Sequence, residues 1–130
     1  MTDAGDDELA RFEAGEINPE GFSHREHVRM AFELLRQSSF TEAAARFAAG
    51  LKHLVRRAGR PQAYHETMTV AFLALIAERM VGAAAPTFEA FEAAHPEVFD
   101  KSLLGRWYAP EILNSASARA TFVLPPPAHP

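Results

Sequence analysis

A chain of 130 residues, 48% of them hydrophobic, has the usual size of one domain and enough apolar surface to bury a core unaided. Its net charge of −4 supplies no extended basic field, which argues against nucleic acid and anionic membrane surfaces as partners. The absence of cysteine removes disulfides, thiolate metal sites, iron–sulfur clusters and cysteine nucleophiles together, so any metal would need nitrogen and oxygen ligands.

Residues 1–7 are acidic rather than basic and then apolar, so they do not read as a secretory signal, and a cytoplasmic location is expected. A first helix is predicted over residues 6–14, ending at Gly15. Asn18, Pro19 and Gly21 form a turn. Ser23 with Glu26 three residues on is a capping-box pattern, which starts a second helix over 24–36. Ser39 or Thr41 caps a third over 42–57, whose stripe Phe40, Ala44, Phe47, Leu51, Leu54 keeps helical period until Gly59 and Pro61. The fourth, over 63–81, is the most apolar and is expected to be central, yet its longest apolar run, residues 70–77, is too short to span a bilayer.

Beyond Gly82 the pattern weakens. Pro86 and Thr87 start a short helix through Ala94, which His95 and Pro96 end, and residues 102–108 form another helical turn. Ala109-Pro110-Glu111 has proline in a first turn and begins a further helix running to Arg119. No run with strand period is longer than 121–124, and Pro125 to Pro127 make the end extended or disordered. The expected architecture is therefore all-α: a compact single-domain bundle of four main helices plus short C-terminal helices over residues 1–124, with a proline-rich tail over 125–130. Its alanine-rich helices suit packing within one chain or across a homodimer.

The chemically informative residues are histidines. On the second helix, Val28, Ala31 and Leu35 define an inward face that projects by steps of three and four onto His24 and His27. On the fourth, Met68, Phe72 and Ile76 project likewise onto His65 and Thr69. Burying an unpaired polar group costs about 1–3 kcal/mol, so three inward imidazoles require a reason. One reason is a divalent metal, zinc first and iron or copper next, held by His24, His27 and His65 with open positions for water or substrate. Glu66 would then be a ligand, an acid/base group or a partner fixing an imidazole tautomer. The other reason is a metal-free buried hydrogen-bond network. His53 lies among Lys52, Arg56 and Arg57 on a solvated face, His95 ends a helix, and His129 is a tail residue.

A second cluster runs from Asp100 to Tyr108. Arg106 beside Trp107 and Tyr108 suits an anionic small molecule, because guanidinium offers a planar fork of donors. Alternatively the aromatics anchor the C-terminal segment, with Arg106 and Arg119 pairing to Asp100 or Glu111. No glycine-rich phosphate loop or nucleophile elbow is present, and Tyr64-His65-Glu66-Thr67 lacks the second histidine of a zincin.

Three stretches, Phe22 to Arg29, His65 to Thr69, and His95 through Asp100-Lys101 to Tyr108-Ala109-Pro110-Glu111, together with Ser115, Ala118-Arg119 and Phe122-Val123, resemble a family of small bacterial all-helical proteins of unassigned function. The chain is also more distantly similar to HD-type metallohydrolases, in which a histidine on one helix precedes a His-Asp dyad on a later one; Glu66 stands here in place of the aspartate. Together these readings lead to two expectations. The first is a metalloenzyme of hydrolase, lyase or isomerase type acting on a small anionic molecule, with Glu66, Arg106 and Tyr108 as working residues. The second is a non-enzymatic ligand-binding or interaction module.

Overall fold

In the computed structural model, which describes residues 4–82 and 87–128, serine side chains start the two long helices that the capping pattern predicts. The elements are α1 (Ala4–Ala14), α2 (His24–Gln37), α3 (Phe40–Arg57), α4 (Glu66–Met80), α5 (Phe88–Ala94), α6 (Pro110–Leu113) and α7 (Ala116–Ala120), with 3-10 segments at Pro61–Ala63, Pro96–Phe99 and Lys101–Arg106. No described residue lies in a β-strand. Ser23 Oγ accepts from the Glu26 amide at 3.4 Å and Ser39 Oγ from the Glu42 amide at 3.3 Å, each satisfying one orphan donor of a first turn. The expected start at Pro86, and His129 and Pro130, lie outside the described residues.

α3 packs against α1, α2 and α4. Its approach to α1 is close because Gly50 lies buried in mid-helix, where an added Cβ would overlap the Phe12 ring. The main core gathers Phe12, Met30, Phe32, Phe47, Leu73, Ile76 and Phe91, with Phe32 in contact with Phe88 and Phe91 at centroid distances of 5.7 and 5.2 Å. Ion pairs fasten its rim: Arg46 to Glu13, Arg25 to Glu92, and Arg29 to both Glu26 and Glu8.

α4 is central, as its composition implies. It touches α2 and α3 on one side and α7 and the Lys101–Arg106 segment on the other. A second apolar cluster forms on that far side from Ala71, Leu75, Leu103, Leu104 and Tyr108, with Met68 and Phe72 against it.

Two expected elements differ. The helix predicted over 63–81 begins only at Glu66, after a 3-10 turn, because His65 serves as its cap. The helix predicted from Pro110 to Arg119 is two short ones. Ser115 interrupts it, its hydroxyl donating to the Ile112 carbonyl at 2.7 Å while accepting from the Ala118 amide at 3.1 Å. Residues 122–127 adopt no regular secondary structure, and none of the helices described is long and apolar enough to cross a membrane.

Candidate functional site

The N-terminal ends of α2 and α4 meet at a cavity of about 400 Å³. Its polar lining includes His24 and His27 from α2, Tyr64, His65 and Thr69 around the start of α4, and Lys101. Phe47, Leu51 and Leu54 of α3 and Met68, Phe72 and Ile76 of α4 form its apolar walls. Ser23 and Lys101, both exposed, lie at its edge.

The three histidines line this one space but are differently employed. His65 is 8% exposed and both its ring nitrogens are engaged. Nδ1 accepts from the Met68 amide at 3.1 Å, which makes the imidazole the N-cap of α4. Nε2 lies 2.6 Å from the Leu113 carbonyl. Since Nδ1 accepts, the proton must be on Nε2, and the ring is a neutral donor to α6. His24 places Nε2 3.1 Å from the Val98 carbonyl and meets Phe72 edge-on, with ring centroids 5.1 Å apart.

His27 differs from both. Its ring lies against Phe22 at 4.9 Å, and among the described residues neither nitrogen joins a hydrogen bond within the protein. Burial first, then the basic neighbours His24 and Lys101, push its pKa down to about 4. His27 is thus a neutral imidazole with unused hydrogen-bonding capacity, facing a cavity.

A three-histidine metal centre does not fit this geometry well. To bind an ion through Nδ1, His65 would have to give up the Met68 amide and with it the cap of α4, although its Nε2–H could stay on the Leu113 carbonyl. The His24 and His27 centroids are 6.5 Å apart, whereas two imidazoles on one tetrahedral zinc, with Zn–N of ~2.0–2.1 Å, hold theirs about 5 Å apart. No set of three or more possible ligand side chains among the described residues is disposed to hold an ion.

The residues expected to work alongside the histidines lie elsewhere. Glu66 accepts the Tyr64 hydroxyl at 2.6 Å and borders a different groove, between α3 and α4, with Lys52, His53 and Arg56. Burial, and then that carboxylate, raise the pKa of the Tyr64 phenol, which Lys52 overlies at 5.0 Å. Arg106 is exposed at the end of its 3-10 segment. Tyr108 is 3% exposed, and its hydroxyl donates to the Val123 carbonyl at 2.7 Å, so burial raises its pKa and its polar tip anchors the C-terminal run. Trp107 beside it is 41% exposed rather than a core anchor.

The same anchoring explains the alternation in His65-Glu66-Thr67-Met68-Thr69. Thr67 is fully buried, donates to the Thr121 carbonyl at 2.8 Å and accepts from the Val123 amide at 3.0 Å. Thr69 donates to the His65 carbonyl at 2.7 Å. This stretch therefore serves as a dock for the C-terminal segment, holding backbone groups that no strand ladder satisfies. The cavity residue that sequence reasoning missed as such is Lys101. Asp100 before it fixes the turn, accepting from the Ser102 amide at 2.9 Å and hydroxyl at 2.7 Å.

Comparisons of the chain with family models, with curated proteins and with solved structures returned no match, which leaves the resemblance noted above resting on its motifs alone.

Proposed function

We propose that this protein is a helical ligand-binding module whose cavity between α2, α3 and α4 takes a small, largely apolar molecule without a metal. The observation that carries this reading is the cavity itself: about 400 Å³ of space with aliphatic and aromatic walls and a few convergent polar groups. Binding sites for small molecules are of this size and character. The volume suits an occupant of roughly a dozen non-hydrogen atoms, taking the ~30 Å³ that a water molecule occupies in the liquid. His65 and Thr69 are committed to the backbone and act as rigid wall, while His27 keeps the capacity to bond an occupant.

The metal reading keeps one supporting observation, that all three imidazoles face the same space. A single set of titrations separates the two. Apolar fragments of about 8 to 12 non-hydrogen atoms are expected to shift the amide resonances of His27, Met68 and Thr69 and to raise the melting temperature by mass action. Equimolar zinc added to chelator-treated protein is expected to leave both unchanged. One tightly held zinc per chain, lost in His65→Ala, would reverse the preference, and fragments that shift no resonance around the cavity would remove the ligand-binding reading.

A further inference from the structure

The chemistry around the cavity specifies more than an apolar occupant. Among the described residues no aspartate or glutamate lines it, although the chain as a whole carries a net charge of −4. Every ionisable group in its walls among the described residues, apart from the Tyr64 phenol, is basic: His24 and His27 on α2, His65 at the start of α4, and Lys101. The nearby carboxylate, Asp100, is turned to the Ser102 amide and hydroxyl, and Glu66 to the Tyr64 hydroxyl on the α3–α4 groove.

The polar groups divide by what they have left to offer. His65 is bonded to the main chain at both ring nitrogens and His24 at Nε2, Thr69 has given its proton to the His65 carbonyl, and the Tyr64 hydroxyl is spent on Glu66. Among the described residues the Lys101 ammonium and the His27 ring have no hydrogen-bond partner. α2 and α4, of 14 and 15 residues, both begin at this cavity, so the positive ends of two helix dipoles reinforce the lysine. A neutral or cationic head group would leave that potential uncompensated.

From this arrangement we infer that the cavity is selective for a small organic acid, with its carboxylate between Lys101 and His27 and its hydrocarbon body against Phe47, Leu51, Met68 and Phe72. This rests on the reading of the cavity as a ligand site and names the class of ligand. The apolar walls set the length of the body, Lys101 sets the charge of the head, and the His27 ring adds a hydrogen bond to it.

The test is calorimetric titration of the whole protein with paired probes: octanoate against octanamide, and 3-phenylpropanoate against 3-phenylpropanamide. Each acid is expected to bind at least ten-fold more tightly than its amide. Lys101→Gln, an exposed site whose replacement leaves the core untouched, is expected to bring each pair within about two-fold, chiefly by weakening the acids. The advantage of the acids should shrink as salt is raised, as for an attraction between charges partly open to solvent. Amides that match or exceed their acids in the wild-type protein would overturn the inference and leave the ligand site standing. An acid preference that survives in Lys101→Gln would overturn it as well. If neither acids nor amides bind, the ligand-binding reading itself falls.

Discussion

His27 carries the clearest single-residue consequence. In the unfolded chain its imidazole has the ordinary value of 6.5, and in the fold the pKa is held down to about 4. Above pH 6.5 both states leave it neutral and stability is complete. As pH falls from there towards 4, the unfolded chain binds a proton that the folded chain refuses, and stability drops by ~1.4 kcal/mol per unit, about 3 kcal/mol at most. Denaturant unfolding of wild type and His27→Gln between pH 4 and 7.5 should show the flatter profile in the variant; parallel profiles would mean that the ring titrates normally. Gly50 gives a second expectation. Gly50→Ala gains ~1 kcal/mol of helix propensity but forces a methyl into the Phe12 ring, and overpacking of this kind costs about 1–3 kcal/mol. The variant should therefore unfold at lower denaturant than wild type, whereas at an open helical position the same change would stabilise. Thr67→Val preserves shape and removes the hydroxyl that serves Thr121 and Val123, so a loss of about 1–3 kcal/mol is expected, with faster hydrogen exchange at the Val123 amide.

At the scale of elements, what could be read in advance follows from how local the determining interaction is. α2 and α3 start within two residues of expectation because Ser23 and Ser39 act on amides three positions away, a relation written in adjacent sequence. The fourth helix was predicted to begin before His65, since serine, threonine, aspartate and asparagine are the usual caps and imidazole is not. Ser115 was hidden for a different reason: a serine inside an alanine-rich stretch reads as tolerable helix until its bonds to Ile112 and Ala118 are seen. Ser115→Ala should cost ~1 kcal/mol, as other cap removals do, with exchange quickening in α7 and leaving α1 unaffected. The inward direction of the three histidines followed from helical period. The partners of two of them did not, because Val98 lies 74 residues from His24, and Leu113 lies 48 from His65. Adjacency groups Glu66 with His65, yet His65 caps α4 in extended backbone while Glu66 opens its first turn, and Glu66 borders another groove.

At the scale of the whole molecule, the decisive arrangement is a central helix with apolar packing on both sides. α4 is packed on opposite sides, so burial from its cap onward falls at His65, Thr67, Thr69, Ala71, Leu73 and Leu75 before Ile76, an alternation that single-face helical reasoning does not anticipate. Of its polar members His65 and Thr67 hold the C-terminal segment in place, and the apolar ones divide between the two clusters. The cavity sits at their junction: Val28, Phe47, Leu51 and Ile76 belong to or border the first, Met68 and Phe72 the second.

An occupant at that junction would act as mortar between two courses of brickwork. Loosening either side would expose it to water, so its free energy of binding opposes both kinds of opening at once. Saturated protein should accordingly resist proteolytic nicking around Lys101 and Arg106, although neither bond lies within the first cluster, and the fragments released from the empty protein should disappear together rather than in sequence.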